Sequence, residues 1–284
     1  MTADGPLIGL SLVPEAASLE RTIALTERAD RLGLDLVGIQ DHPYQRRFAD
    51  TFALLGHLLA RTERIRAFPD VANLPLRPPA VLAKHAATLD LLSGGRFELG
   101  LGAGAFWDAV AAMGGPRRTP GESVDALSEA IDVIRHAWSG ERSIRFDGEH
   151  YRLDGFQSGP VPAHDIGIWL GAYGPRMLRL TGEKADGWVP SLREGLGPED
   201  LGEKGKRITE AAQAAGRDPG DVFRVWNVMQ PVEAGDEERL AETLAGWAER
   251  HGTDAFVVWP SGDDLEGQVE RLATVRHALK GAAR

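Results

Sequence analysis

The stretch "PAVLAKHAATLDLLSGGRFELGLGAG", residues 79–104, contains a helix pattern that runs directly into a strand pattern. Residues 79–95 begin with a proline and end at a glycine pair, as helices commonly do. Residues 96–102, "RFELGLG", form a short apolar run typical of a strand that is buried on both faces. Alternation of such helices and strands is typical of a parallel α/β fold.

The same alternation extends in both directions along the chain. Strands are predicted at 7–13, 34–40, 64–71, 96–102, 166–171, 186–191, 222–230 and 255–259. Helices are predicted at 18–33, 48–62, 79–95, 122–138, 174–185, 198–216, 236–252 and 264–281. Eight β-then-α units predict an α/β protein with a (β/α)8 TIM barrel rather than an open sheet.

One segment departs from this alternation. In "SIRFDGEHYRLDG", residues 143–155, two alternating runs surround Asp147-Gly148, which is a strong hairpin signal. We therefore expect a small β-hairpin inserted after the fourth helix. Because no long linker or low-complexity tract appears, the sequence predicts a single domain over residues 1–284.

Composition excludes several classes of function. The 284 residues carry a formal net charge of −10, which opposes binding to nucleic acid or to anionic membranes. The absence of cysteine excludes disulfides and thiolate nucleophiles. No apolar run approaches the ~20 residues of a membrane span, and the histidines lack the spacing of common metal motifs. We expect a cytoplasmic protein without a metal site.

In a barrel of this kind the loops after the strands form the functional face. The second strand ends in "IQDHPYQRR", where His42 could exchange a proton near neutral pH and Asp41 could orient it or bond a ligand. A loop-capping aspartate beside a partly buried histidine is the competing interpretation. The position at a strand end favours function.

Two further strand ends carry candidate groups. After the third strand, a proline-rich segment surrounds the amide of Asn73. After the fifth, in "WLGAYGPRMLRL", Gly171 and Gly174 flank a turn, Pro175 opens a helix and Arg176 lies in its first turn. Free amides and a cation at a helix start can bind a phosphate. An ordinary βα turn remains the alternative.

Several segments together resemble the bacterial luciferase-like monooxygenase superfamily of flavin- and deazaflavin-dependent oxidoreductases. They are "LGLDLVGIQDHP", "NLPLRPPAVLAKHAATLDLLSGGRFELGLGAG", "EAIDVIRHAWSGE", "FDGEHYRLDG" and "IWLGAYGPRMLRLTGEKADGWVPS". They cover residues 32–191 almost continuously and in the family's order. The resemblance implies the same barrel, with a flavin-type cofactor across its open face.

The resemblance also assigns roles to individual residues. His42 would lie near the reactive edge of the cofactor ring, with Asp41 beside it. Phe106 and Trp107 are candidates for the substrate side, with ordinary packing under the loop as the alternative. The ring would lie at Val71, Ala72, Asn73, Gly102, Ala103 and Gly104. The phosphate would lie at Gly171, Ala172, Tyr173, Gly174 and Arg176.

The main hypothesis from the sequence is a monooxygenase that uses reduced FMN and O2 on a small organic substrate. A flavin reductase would then supply the reduced flavin, and the family suggests a homodimer. One alternative is a hydride-transfer enzyme that uses the deazaflavin coenzyme F420. Another is a flavin-binding barrel without catalysis.

The resemblance argues against one specific activity. Deazaflavin-dependent sugar-phosphate dehydrogenases of this superfamily carry a tryptophan shortly after the Asp-His pair and a glutamate after the fourth-strand glycines. Here the residues from the Asp-His pair onward are "DHPYQRR", which contain no tryptophan, and Ala105 takes the place of the glutamate. The pairs Arg46-Arg47 and Arg117-Arg118 could serve the anionic tail of a deazaflavin, or could be solvated surface residues.

Overall fold

The computed structural model describes residues 5–193 and 195–282. Its strands are β1 Leu7–Leu12, β2 Leu36–Ile39, β3 Arg66–Pro69, β4 Ala72–Asn73, β5 Leu99–Gly102, β6 Ile144–Asp147, β7 Arg152–Phe156, β8 Ile168–Leu170, β9 Gly187–Trp188, β10 Ser191–Leu192, β11 Phe223–Val228 and β12 Ala255–Val258. Its α-helices are α1 Leu19–Leu32, α2 Thr51–Arg61, α3 Pro79–Ser93, α4 Trp107–Ala112, α5 Pro120–Trp138, α6 Pro175–Lys184, α7 Pro198–Ala214, α8 Glu237–His251 and α9 Leu265–Ala282.

The parallel strands form a closed ring. Along the main sheet the order is β3-β2-β1-β12-β11-β9-β8-β5-β4, and each of these pairings is parallel. A parallel bridge between Ala67 and Phe97 joins β3 to the segment that leads into β5. The ring contains ten strands, but β3 and β4 share one position and β9 and β10 share another, so it has eight strand positions. The predicted (β/α)8 barrel is therefore confirmed.

Two apolar layers hold the barrel together. The inner layer fills the ring with side chains from alternate strand positions, among them Phe68, Trp169 and Val225. The outer layer lies between the strands and the surrounding helices, and includes Leu82, Ile131 and Trp226. Strands buried on both faces explain why they appear in the sequence as continuous apolar runs.

The inserted hairpin is present, but its turn differs from the prediction. Strands β6 and β7 pair antiparallel, and Asp147 pairs with Arg152. The turn therefore spans residues 148–151 and is not centred on Asp147-Gly148. The carboxylate of Glu129 on α5 accepts backbone N–H bonds from Glu149, His150 and Tyr151 at 2.8–3.0 Å. This contact from outside the hairpin stabilises the longer turn.

Helix α4 is an element that the sequence did not predict. It follows β5 after the four residues 103–106 and carries part of the "GAGAFWDAVAAM" segment. Its six residues are too few to show a helical period. Over the described residues, no helix combines the length and the apolar character needed to cross a bilayer.

Candidate functional site

A cavity of about 810 Å³ opens at the carboxyl ends of the barrel strands. It brings together every predicted site residue except Ala172. These are Asp41, His42, Val71, Ala72, Asn73, Gly102, Ala103, Gly104, Phe106, Trp107, Gly171, Tyr173, Gly174 and Arg176. Ala172 is buried in the core, and its carbonyl accepts a hydrogen bond from Trp188 Nε1 at 2.9 Å. We call this space the mouth cavity.

Val71 and its glycine neighbours form the floor of the mouth cavity. A Cβ at Gly102 would lie 2.8 Å from Val71 Cγ2, and one at Gly171 would lie 3.2 Å from the same atom. The first separation is a clash, so Val71 can cover the ends of β5 and β8 only because residue 102 lacks a side chain. The result is an apolar surface made largely of backbone, which suits a flat ring.

Gly104 extends this surface for a second reason. Its φ of +106° lies in the region that glycine adopts readily, and a Cβ there would lie 2.5 Å from Pro75 Cγ. Both features explain why the sequence places a glycine at this position. They also keep the strand end close to the proline-rich segment that follows β4.

Asn73 supplies a polar group at the edge of this floor. Its backbone N–H donates to Asp41 Oδ2 at 2.8 Å, which fixes the main chain. Its side chain is buried, and Oδ1 has no hydrogen-bond partner among the described residues. A buried amide oxygen without a donor is costly, so a ligand N–H that reaches it would be bound favourably.

Asp41 is part of an ion-pair cluster behind Asn73. Its two carboxylate oxygens accept hydrogen bonds from Arg77 at 2.8 and 2.7 Å, and Arg77 also bonds Asp50 at 2.8 Å. The two carboxylates hold the pKa of Arg77 above its usual value despite burial. No hydrogen bond joins Asp41 to His42 within the described chain. Asp41 therefore fixes Asn73 and Arg77, and its predicted role as a partner of His42 has no contact to support it.

The hydrogen-bond partner of His42 is Tyr44. His42 Nδ1 lies 2.7 Å from Tyr44 Oη, and the ring of Phe106 meets the imidazole edge-on at a centroid distance of 5.9 Å. Burial lowers the pKa of His42, and the charge of Asp41 offsets this only in part. Burial also raises the pKa of Tyr44 to about 12. Near pH 7 the pair therefore consists of a neutral imidazole and a protonated phenol.

Sequence reasoning missed Tyr44. Its only signal was its place two residues after His42 in "DHPYQRR". Residues two apart lie on the same side of an extended strand but have no fixed relation in a loop. The contact depends on the loop conformation between β2 and α2, which the residue types do not reveal.

Phe106 lies beside His42, and Trp107 lines the same cavity. Their assignment to the substrate side stays a prediction. Phe106 has a φ of 55°, is 64% exposed and lies directly before α4, while Ala105 is exposed at the same rim. The ring of Phe106 also contacts Tyr44 at 5.8 Å. An exposed aromatic ring at the entrance can cover an apolar substrate.

The opposite end of the mouth cavity could hold a phosphate. Helix α6 begins after Gly174, and its first-turn amides have no partners within the helix. Arg176 lies here and pairs with Asp125 on α5 at 2.7 Å, with both side chains about half exposed. An exposed ion pair of this kind is weak, so the guanidinium remains able to bind an anion.

Three of the four arginines in the pairs Arg46-Arg47 and Arg117-Arg118 contact other side chains of the protein. Arg47 pairs with Glu15 at 3.2 Å, and Arg117 pairs with Asp108. Arg118 stacks over the Tyr151 ring at 5.5 Å. Across residues 5–193 and 195–282, no three His, Cys, Asp or Glu side chains converge as metal ligands would.

Comparison with known proteins gives consistent findings. The family model for luciferase-like monooxygenases matches residues 7–279. The chain is 31% identical over 262 residues to the F420-dependent glucose-6-phosphate dehydrogenase of Intrasporangium calvum, covering 78% of this chain and 76% of that protein. It is 32% identical over 253 residues to the F420-dependent hydroxymycolic acid dehydrogenase of Mycobacterium tuberculosis, covering 84% of this chain and 66% of that protein.

A solved structure shares the fold. It is an F420-dependent secondary alcohol dehydrogenase in complex with an F420-acetone adduct, with a TM-score of 0.84 and 19% identity. The likeness covers 97% of this chain and 99% of that one. At this identity it demonstrates a common barrel architecture.

Proposed function

The chain belongs to the luciferase-like monooxygenase family, and we propose that it is an oxidoreductase that transfers a hydride between coenzyme F420 and a small uncharged alcohol or carbonyl compound. The observation that carries the choice of coenzyme is the similarity to two F420-dependent dehydrogenases at 31% and 32% identity. These relatives favour the deazaflavin alternative over the FMN monooxygenase that the sequence first suggested. That the chain is an enzyme of the oxidoreductase class follows from the same relatives.

The residues of the mouth cavity fit a deazaflavin. The surface formed by Val71, Gly102 and Gly104 suits a planar ring, because a Cβ at either glycine would push against Val71 or Pro75 and disturb that surface. The unpartnered Oδ1 of Asn73 can accept a hydrogen bond from a ring N–H. The start of α6 with Arg176 would take the phosphate.

The surroundings of His42 indicate the substrate class. Within the described residues, the aromatic rings that lie against the His42 ring are those of Tyr44, Phe48 and Phe106, and none of them carries a charge near pH 7. The carboxylate of Asp41 is occupied by Arg77. A wall of aromatic rings with a single proton-exchanging group favours an apolar alcohol or ketone over a sugar phosphate. The alanine at position 105 agrees with this choice.

When bound, the deazaflavin supplies a carbon that can accept or donate a hydride. In the oxidation direction, the substrate carbinol carbon gives up its hydride, and the hydroxyl proton must leave at the same time. We assign that proton to His42 Nε2, since Nδ1 is engaged by Tyr44. The alcohol thereby becomes a carbonyl compound, two electrons pass to the coenzyme and one proton passes to the protein.

Tyr44 acts in this scheme as a positioning residue. For Nε2 to accept a proton, Nδ1 must carry the other hydrogen and donate it to Tyr44 Oη. The high pKa of Tyr44 keeps the phenol neutral, so Oη accepts this bond without itself ionising. The same bond would stabilise the imidazolium that forms after proton transfer.

The test is a direct assay of the purified protein with F420 and a series of secondary alcohols. We expect the visible absorbance of the oxidised coenzyme to fall when an apolar alcohol is added. A His42→Gln variant should lower kcat about 100-fold, the effect typical of a general base, while it binds F420 as tightly as the wild type. Binding of F420 without turnover on any alcohol, or on the matching ketones with reduced coenzyme, would contradict the proposal.

A further inference from the structure

A second cavity, of about 300 Å³, lies on the outside of the barrel between α7 and α8. It is remote from the mouth cavity, because Arg224, which lines it, lies near the amino-terminal start of β11. The lining includes Lys206, Thr209, Arg224, Arg250 and His251, with Glu210 as the acidic member. We call this space the lateral pocket.

Arg224 gives the lateral pocket its chemistry. Its side chain points out of the barrel, where one terminal nitrogen donates to Thr209 Oγ1 on α7 at 2.9 Å. Nε is buried and has no hydrogen-bond partner within the described residues. Burial lowers the pKa of Arg224, and only the charge of Asp254 offsets this. The Asp254 carboxylate accepts the backbone N–H of Arg224 at 2.9 Å.

His251 adds a second buried nitrogen that has no hydrogen bond among the described residues. Its side chain is 9% exposed and stacks on Trp226 at a centroid distance of 5.5 Å. Its Nε2 is buried without a hydrogen bond, and Glu199 Oε1 lies 3.6 Å away. Two buried nitrogens from different elements thus border one small space.

The glycines of α7 create that space. Glycine inside a helix costs up to ~1 kcal/mol relative to alanine, yet α7 carries both Gly202 and Gly205. A Cβ at Gly202 would lie 2.4 Å from the His251 ring, so this glycine admits the histidine. A Cβ at Gly205, which is buried, would make ordinary van der Waals contact, 3.9 Å from Arg224 Nε and 3.7 Å from Trp188, so a small side chain fits there. The gap at Gly205 exposes the guanidinium to the pocket.

We propose that the lateral pocket binds a tetrahedral oxyanion of the phosphate class. Arg224 would bind it from the inner end, and Arg250 would bind it from the rim. Lys206 lines the same pocket, and its pair with Glu203 at 2.6 Å is exposed on both sides and therefore weak. A guanidinium that forms no ion pair within the described chain is the natural partner of a bidentate oxyanion. The proposal concerns a site separate from the coenzyme and does not depend on the proposed function.

The test measures phosphate binding to the full chain by calorimetric titration at fixed ionic strength. Because the mouth cavity is itself a candidate phosphate site, the titrations are made in the Arg176→Gln protein, where the added Arg224→Gln substitution should weaken the remaining binding at least tenfold. If circular dichroism shows that the protein with Arg224→Gln is folded and its phosphate binding is undiminished, the proposal is overturned. So would wild-type protein that binds no phosphate.

A second variant covers the case in which Arg224→Gln fails to fold. Gly205→Asp puts a carboxylate beside Arg224, and a Cβ there meets no atom closer than 3.7 Å. In the Arg176→Gln protein it should fold, raise the melting temperature and abolish the remaining phosphate binding. Gly246→Asp on α8, where nothing lies within 4 Å, is the matched control and should bind phosphate normally. Phosphate binding that survives Gly205→Asp contradicts the proposal.

The oxyanion could be free inorganic phosphate or the phosphate group of a metabolite, and titration with glycerol phosphate distinguishes these two sources. If it binds more tightly than inorganic phosphate, the ligand is a phosphorylated metabolite. If inorganic phosphate binds equally well or better, the ligand is the free anion. Failure of both to bind overturns the site.

Discussion

The two ends of the barrel use polar groups in opposite ways. At the amino-terminal end, carboxylates are saturated by backbone donors of neighbouring loops: Asp30 accepts from residues 63, 64 and 65, and Asp90 accepts from residues 163 and 164. At the mouth, the charges of Asp41 and Arg77 neutralise each other behind the surface, and Asn73 Oδ1 is left without a donor. One end fixes loops, and the other presents backbone and a single amide to a ligand.

The largest effect is expected from a side chain added at the floor of the mouth cavity, which should remove ligand binding at that end of the barrel. Gly102→Val places branched carbons where a Cβ would already lie 2.8 Å from Val71. We expect F420 binding to weaken at least ~100-fold, because the ring can no longer reach the strand end. Gly246→Val, in open space on α8, should bind normally in the same fluorescence titration. Equal binding by the two variants would show that the floor lies elsewhere.

The next largest effect concerns the cluster behind the mouth. Asp41 and Asp50 bond the same guanidinium, but their side chains are 1% and 51% exposed. Asp41→Asn should lower the free energy of unfolding by about 2 kcal/mol, since a buried charge-assisted pair is lost. Asp50→Asn should cost well under 1 kcal/mol, because asparagine still caps α2. Urea denaturation measures both, and similar values would contradict the burial argument.

A smaller effect is expected at the His42–Tyr44 pair. Tyr44→Phe removes the acceptor of the Nδ1 hydrogen bond and should lower kcat about tenfold, which corresponds to one ordinary hydrogen bond. KM and the dissociation constant of F420 should change less than about twofold, because the ring of Phe can still pack against Phe106. Nitrogen NMR of His42 provides an independent measure, since the variant should lose the preference for the Nδ1–H tautomer. An unchanged tautomer would remove Tyr44 from the mechanism.

The smallest effect is expected at the amino-terminal end. His164 contacts Asp90 at 2.8 Å and Glu98 at 3.4 Å, and these carboxylates raise its pKa above the usual 6.5. A raised pKa gives stability that is fully present below pH 6.5 and is lost as the pH rises through the folded value. His164→Gln should therefore destabilise the protein by about 1 kcal/mol at pH 5.5 and by much less at pH 9. A difference that does not change with pH would contradict the ion pairing.

The sequence predicts the barrel because its strands and helices carry their signals locally. The helix predicted at 79–95 is Pro79–Ser93 and ends at Gly94, and the next strand ends at Gly102 as predicted. The glycines around the mouth were also recognisable, since a residue without Cβ at a strand end indicates close approach. These features depend on neighbouring residues and on backbone conformation alone.

The contacts of the candidate site depend on long-range geometry and could not be predicted in the same way. Asp41 appeared to be the partner of its neighbour His42, but it bonds Arg77, 36 residues away. Tyr44, which had no assigned role, takes that place. The four-residue hairpin turn depends on Glu129, which lies outside the hairpin sequence. Periodicity describes elements, whereas side-chain pairing across loops requires the folded backbone.

The central claim is that the mouth cavity binds a deazaflavin and uses it for hydride transfer. The most direct measurement is a parallel titration of the purified protein with F420 and with FMN, followed by fluorescence. The account predicts that F420 binds at least about tenfold more tightly than FMN, a difference of about 1.4 kcal/mol, and that Gly102→Val weakens F420 binding as described above. Tighter binding of FMN, or no binding of either coenzyme, would contradict it.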